Sequence, residues 1–446
     1  MKKHTQSPYE SSKVSYKPSG IEWLGEIPQS WEIRRLKHLT ILFTGESIKD
    51  ADKDKYSIVE NAIPYIATKD IGLDSNDVNY NNGMFIQNDD TGFKRAYKNS
   101  TLLCLEGANA GKKIAFLNQE VCFVNKLCCI SNKSKELDSK ALFYFFQGSF
   151  FKNTFFSNIS GLIGGVTTTQ LGNFKIPLPP LQEQKEIAEF LDSKCEKIQN
   201  YIDKKQKLIT LLQEKKQALI NEAATKGLNP NIESKNSDIE YLGLIPHHWE
   251  VVRSGLIYKN ISSGTTPQSD NDEYYKNGNI FWINSGDLND SVLTNSKNKI
   301  TQKAMMAHSA LKIFPKGSLI IAMYGATIGK VSILGIDACT NQACCVLCES
   351  KYLNTRFVFY YFVAKRQDLI SMAYGGGQPN ISQDIIKNFK IPLPPLQEQE
   401  EIAAFLDSKV AQIDSAIEKT KKQIELVKEY KNTLINEAVC GRIRVN

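Results

Sequence analysis

At 446 residues the chain exceeds the size at which a single hydrophobic core keeps growing, so two or more domains are expected. A hydrophobic share of 41% and a charged share of 23% suit an ordinary folded protein, and no apolar run reaches the roughly 18 residues that cross a bilayer, which argues against a membrane protein. A net charge of +7 permits a polyanionic partner without demanding one.

In chain order, residues 1–20 (MKKHTQSPYESSKVSYKPSG) are polar, lack the apolar stretch of a secretory signal, and read as a flexible tail on a cytoplasmic protein. Residues 21–180 read as a first globular head, in which aromatic and β-branched runs such as ILFTG, IPYIA and AFLNQEVCFV alternate with Asn/Asp/Gly-rich turns. From Leu181 to Lys226 there is neither glycine nor proline, and a glycine follows, which predicts one long helix over 181–226. Residues 227–238 read as a linker. A second head over 239–395 carries similar runs (NIFWINSGDL, GSLIIAMYGATIGKVSI, ACCVLC), and a second long helix is predicted over 396–441. The fold class expected is α+β. At about 1.5 Å per residue each helix would run roughly 65 Å, a length typical of coiled coils.

The two halves are copies. Asn173-Phe-Lys-Ile-Pro-Leu-Pro-Pro-Leu-Gln-Glu-Gln184 returns letter for letter as Asn388 to Gln399, Phe190-Leu-Asp-Ser-Lys194 as Phe405 to Lys409, and Leu219-Ile-Asn-Glu-Ala223 as Leu434 to Ala438. Upstream, Leu24-Gly25-x-Ile27-Pro28-x-x-Trp31-Glu32 matches Leu242-Gly243-x-Ile245-Pro246-x-x-Trp249-Glu250. Between these anchors the copies agree in pattern more than in letters: Asp70 corresponds to Asp287, Gly107-x-x-x-Gly111-Lys112 to Gly325-x-x-x-Gly329-Lys330, and Asn125 to Asn341. Such a long period marks a duplicated domain and not a solenoid.

Heptads written through both helices coincide. In the first the seam rows are Ala188, Cys195, Ile202, Ile209, Lys216, Ala223 and Leu191, Ile198, Lys205, Leu212, Leu219. In the second they are Ala403, Val410, Ile417, Ile424, Lys431, Ala438 and Leu406, Ile413, Thr420, Val427, Leu434. Polar residues interrupt the same two layers in each, which restricts register and favours pairing of the two helices with each other. Because a head precedes each helix, antiparallel pairing would set the heads at opposite ends of a rod about a pseudo-two-fold axis.

The order of head, Ile-Pro-Leu-Pro-Pro-Leu-x-Glu-Gln and helix, given twice with Leu-Gly-x-Ile-Pro-x-x-Trp opening each head, resembles the specificity subunits of type I restriction-modification enzymes. The resemblance implies two target-recognition domains joined by two long antiparallel coiled-coil helices. Each domain would read one half of an asymmetric bipartite site in double-stranded DNA. The helices would set the spacing of the halves and dock two methyltransferase (modification) subunits, with motor-nuclease (restriction) subunits joining for cleavage. The chain itself would be non-catalytic.

Contacts to DNA are sought among basic and amide side chains in loops, since Lys and Arg neutralise phosphates while Asn, Gln and Arg read base edges. In the first head these are Lys69, Lys94, Arg95, Lys112, Lys113, Thr167, Thr168 and Gln170; in the second, Lys297, Lys299, Lys303, Lys330, Gln378, Asn380, Ser382 and Gln383. Any one such side chain is more often plain solvated surface. Gly325 to Lys330 is one residue short of a phosphate-binding loop and lacks the following Ser/Thr, so it reads as a tight turn. Asp337 with Glu349-x-Lys351 has nuclease-like spacing, but Lys133 stands where the other copy would need its Glu. The ten cysteines sit mostly in apolar runs and read as buried reduced thiols, Cys345-x-x-Cys348 having no second ligand pair, so neither metal nor cofactor is expected. Two rivals remain: a coiled-coil adaptor without sequence readout, and a recognition module of another methyltransferase-based defence system.

Overall fold

Glu32–Arg35 and Lys175–Leu178 come from opposite ends of the first head yet pair as an antiparallel ribbon, Arg35 opposite Lys175 and Glu32 opposite Leu178. Glu250–Arg253 and Lys390–Leu393 form the same ribbon in the second head. The proline inside Ile-Pro-Leu is tolerated because a two-stranded ribbon leaves one side of each strand without a ladder partner. The structure, a computed structural model, describes residues 15–57, 60–161, 164–374 and 379–443.

Each head is α+β. In the first, Thr40–Thr44, Leu127–Asn132, Thr101–Cys104 and Ile114–Phe116 form an antiparallel sheet in that order. A second sheet has the order Phe85–Gln87, Ala62–Ile66, Val121–Phe123, Arg95–Ala96, its central pair parallel. The second head carries a five-stranded sheet ordered Asn260–Ser263, Cys344–Cys348, Leu319–Ala322, Val331–Leu334, Val292–Leu293, and a three-stranded one ordered Lys299–Ile300, Ile280–Ile283, Cys339–Thr340.

The two long helices are Leu181–Lys226 and Leu396–Val439. Both are followed by glycines in the left-handed region, Gly227 at φ +76° and Gly441 at φ +70°, a conformation that stops a helix at little cost only for glycine. The second helix therefore ends slightly before the expected 441.

The chain divides into two compact units, Met1–Gln206 with Lys421–Asn446, and Lys207–Thr420. Each unit thus holds one head, the first part of the helix that follows it and the last part of the other helix. In the first, Ile187, Ala188 and Leu191 share a core with Trp31, Phe145, Ile435, Ala438 and Val439. In the second, Ile220, Ala223 and Ala224 share one with Trp249, Phe357, Ile402, Ala403 and Leu406. Within each unit the start of one helix thus shares a core with the end of the other, as antiparallel helices require.

Every seam position of both heptad rows is buried or half-buried, from Leu191 through Ile198, Ile202, Ile209, Leu212 and Leu219, and from Leu406 through Ile413, Ile417, Ile424, Val427 and Leu434. Three of the four polar interruptions are engaged: Lys216 reaches Asp414 at 2.7 Å, Thr420 donates to the Ala416 carbonyl at 2.7 Å, and Lys205 lies over the Tyr201 ring. Half-exposed, the Lys216 pair adds little to stability but fixes register.

Two sequence boundaries need correction. Tyr16–Pro18, read as tail, is a strand antiparallel to Glu26–Pro28, and Ser234–Asn236, read as linker, pairs likewise with Leu244–Pro246. Strands this short and polar show no alternation of apolar residues. The signal available was Ser19-x-Ile21-Glu22-x-Leu24-Gly25 recurring as Ser237-x-Ile239-Glu240-x-Leu242-Gly243, a loop closed by Ser19 N–H to the Gly25 carbonyl at 2.9 Å and Ser237 N–H to that of Gly243 at 3.0 Å.

All ten cysteines are free and all but Cys195 are buried. Burial in apolar surroundings pushes the Cys122, Cys128 and Cys345 thiols up to about 12. At pH 8 a thiol reagent should modify Cys195 in the native chain and all ten only after denaturation, as peptide mass mapping would show. An unfolded thiol ionises near 8.5. Between that pH and about 12 the unfolded chain releases protons that the folded chain keeps, so stability should fall as pH rises through this window. Early modification of Cys128 or Cys345 would contradict this packing. Among the described residues no cluster of His, Cys, Asp and Glu is placed to hold a metal ion, and no helix is long and apolar enough to cross a membrane.

Candidate nucleic-acid interface

The Gln-Glu-Gln that opens each long helix pins the head to it. Fully buried Gln184 donates its amide to the carbonyls of Glu136 and Pro179, both at 2.8 Å, and accepts from the Asp138 backbone N–H at 2.8 Å. Gln399 does the same with the Tyr352 carbonyl at 2.9 Å, the Pro394 carbonyl at 2.8 Å and the Asn354 N–H at 2.8 Å. Asp138 and Asn354 in turn cap the helices Ser139–Phe145 and Thr355–Ala364. Glu183 accepts the Trp31 indole N–H at 3.0 Å, and Glu398 that of Trp249 at 3.1 Å. Asp192 accepts the Tyr144 hydroxyl at 2.6 Å, and Asp407 that of Tyr360 at 2.5 Å. Letters identical in the two copies therefore satisfy polar groups whose loss would leave orphans between head and helix.

The loops are built on glycines. A Cβ at Gly45 would stand 1.8 Å from the Phe123 carbonyl oxygen, and one at Gly264 1.8 Å from that of Thr340. Only glycine lets the chain leaving Thr44 or Ser263 lie on the neighbouring strand, which brings Ser47 to Asn125 at 2.7 Å and Thr266 to Gln342 at 2.6 Å. Gly107 to Lys112 joins two antiparallel strands, as does Gly325 to Lys330, with Gly111 N–H on the Cys104 carbonyl and Gly329 N–H on that of Ala322, both at 2.8 Å. Each leads into a strand and not a helix, so neither is a phosphate-binding loop.

Several candidate contacts have their side chains engaged within the protein. Thr167 and Gln170 form the capping box of Thr168–Gly172, where Thr168 is the half-buried first residue. Ser382 caps Gln383–Asn388, and Gln383 donates to the Ser263 hydroxyl at 2.6 Å. Lys94 pairs with Glu46 at 2.9 Å, Arg95 with Glu120 at 3.5 Å and Lys303 with Glu273 at 2.5 Å. Lys113 donates to the Thr68 carbonyl at 2.8 Å, which sets it beside exposed Lys69, while Lys299 lies 4.6 Å from the Phe281 ring centre. Lys112 donates only to the nearby Ala108 carbonyl. Lys69, Lys297, Lys330 and the Asn380 side chain have no hydrogen bond or ion pair among the described residues. Lys299 belongs to the three-stranded sheet, not to the five-stranded one that carries the Gly325 turn. Gln378 lies outside the described residues.

The family model for the type I restriction modification DNA specificity domain matches residues 28–211 and again 246–426. The chain belongs to that family. Among relatives in the type I specificity family, the MjaVIII specificity subunit of Methanocaldococcus jannaschii is 28% identical over 94% of either chain. The EcoKI specificity subunit of Escherichia coli K12 is 22% identical over 94% of this chain and 90% of that one. A chain in the structure described as "Structural basis underlying complex assembly and conformational transition of the type I R-M system" superposes with a TM-score of 0.73 at 18% identity, covering 94% of this chain and 99% of that one. The HsdS subunit from Thermoanaerobacter tengcongensis superposes with a TM-score of 0.54 at 19% identity, covering 94% and 98%. These likenesses carry the fold of a specificity subunit, and the resemblance read from the sequence holds.

The residues of this specificity subunit that sequence reasoning passed over are those doing the pinning. Trp31, Glu183, Gln184 and Asp192, with their copies, stood out as repeated letters, but repetition alone does not distinguish a letter that holds the scaffold from one that meets a partner.

Proposed function

We propose that the chain is the non-catalytic DNA-reading subunit of a cytoplasmic type I restriction-modification complex. Each head reads one half of an asymmetric bipartite site, and the paired helices fix the spacing and dock two methyltransferase subunits, with motor-nuclease subunits joining for cleavage. The observation that carries this is the division of labour between repeats. The Trp–Glu, Gln–backbone and Tyr–Asp contacts recur in both units, while the loops built on Gly45 and Gly264 carry different side chains. One frame carrying two surfaces suits two unlike half-sites and two like partners. Half-sites on one face of a duplex need a fixed separation, and two linked heads gain affinity through effective concentration.

Inserting one heptad at matched places in both helices should lengthen the preferred gap by about 10 Å, or about three base pairs, and leave each half-site sequence as it was. Mapping methylated sites on genomic DNA checks this. Salt-sensitive but sequence-blind binding by the full complex, or half-site sequences that change with the insertion, would count against it.

A further inference from the structure

The two heads share a corner in backbone and differ there in chemistry. In the first, Ser160 and Gly165 exchange backbone hydrogen bonds of 2.9 and 3.0 Å, Gly165 also bridges to Glu106, and Val166 N–H donates to the Leu105 carbonyl at 3.1 Å. In the second, Tyr374 and Asn380 exchange bonds of 3.1 and 2.9 Å, Asn380 bridges to Tyr324, and Ile381 N–H donates to the Met323 carbonyl at 2.8 Å. Glu106 and Tyr324 each immediately precede the first glycine of the Gly-x-x-x-Gly-Lys turn. Three positions therefore coincide, occupied by Glu106, Ser160 and Gly165 in one head and by Tyr324, Tyr374 and Asn380 in the other.

These side chains are uncommitted. Tyr374 is 75% exposed, Glu106, Ser160 and Asn380 are exposed and Tyr324 is half-buried. Among the described residues none of their polar groups has a hydrogen bond or ion pair, whereas Thr167, Gln170, Ser382 and Gln383 just beyond are taken up by caps and by Ser263. Gly165 leaves room for its neighbour, since a Cβ there would stand 3.1 Å from Glu106 Cγ. On the turn itself Lys112 and Lys330 are the same residue at the same place. A constant cation beside variable polar side chains is the pattern expected where phosphate contacts position a protein and base-edge contacts specify a sequence.

Building on the reading of the heads as DNA-binding domains, we propose that this corner sets base preference in each half-site. The Glu106 carboxylate, which only accepts, takes a base that offers an amine in the major groove, and favours cytosine through N4 over adenine, whose N6 amine is flanked by the N7 acceptor that repels a carboxylate. Asn380, donor and acceptor together and flanked by Tyr324 and Tyr374, takes adenine through N6 and N7. Lys112 and Lys330 hold phosphates on either copy.

The test is selection from a randomised duplex library by the full chain assembled with its methyltransferase partner, at two salt concentrations. Glu106→Gln should lose preference at one base pair by about tenfold or more in one half-site only, and Asn380→Ala likewise in the other half-site. Lys112→Ala should weaken all sequences alike and lower the salt slope by about 1. Thermal melts of the three variants should match the parent, since none of these side chains packs in a core; Glu106→Asp and Asn380→Ser serve if one does not. A parent that remains selective while the Glu106 and Asn380 variants keep its preference at every base pair overturns the corner and leaves the reading of the heads intact. A parent with no sequence preference overturns both.

Discussion

Replacing Trp31 or Trp249 with alanine should cost about 3–5 kcal/mol and open the unit that contains it. Both indoles are fully buried, in the core that joins the head to its own long helix and to the end of the other. Truncation leaves a cavity, and it also strips Glu183 or Glu398 of the indole donor at the helix start. Trp31→Phe separates the two effects. It keeps most of the apolar volume and loses the N–H, so its cost should fall to about 1–3 kcal/mol, the range for an unsatisfied polar group. Because a chain with two units need not unfold in one step, the measurement should be hydrogen exchange read peptide by peptide. Among the described residues, Trp31→Ala should lose protection first in the unit of the first head, and Trp249→Ala in the unit of the second. Loss of protection in the opposite unit first would refute this account of what the anchors do.

The helices were legible because their signal is local and long: no glycine or proline, a heptad that can be checked in two copies, and a glycine after the last turn of each. The sheets were legible as strands but not as pairings. Ala62–Ile66 runs parallel to Val121–Phe123, and Arg95–Ala96 is too short to show any period, so strand order depends on packing that no window of sequence contains. At the candidate interface the spacing Thr167-x-x-Gln170 is also that of a capping box, and in the structure each of the two side chains accepts from the other residue's backbone N–H. Glu106, Tyr324 and Tyr374 are neither basic nor amide side chains, and nothing in their local sequence says that a backbone bridge sets them at matched corners.

Gly45→Ala and Gly264→Ala should be destabilising even though both sites are in loops, where a glycine-to-alanine change that the backbone tolerates is mildly stabilising through the unfolded chain. The neighbour that would meet the new methyl is a backbone carbonyl, on Phe123 in the first head and Thr340 in the second, and a carbonyl held in a sheet cannot turn aside as a flexible side chain can. The loop must lift instead. Lifting breaks the Glu46 N–H bond to the Phe123 carbonyl at 3.0 Å in one head and the Gly264 N–H bond to the Thr340 hydroxyl at 3.0 Å in the other. A cost of about 1–3 kcal/mol is expected, toward the upper end because both the overlap and the lost bond contribute. Gly286→Ala is the contrast, since a Cβ there meets nothing within 4 Å, and it should melt at or slightly above the parent. Differential scanning calorimetry of the three variants decides the point, with a parental transition for Gly45→Ala as the outcome that defeats it. Lifting the first loop also separates Ser47 from Asn125 and Glu46 from Lys94, so under the proposed function Gly45→Ala should weaken recognition in one half-site alone.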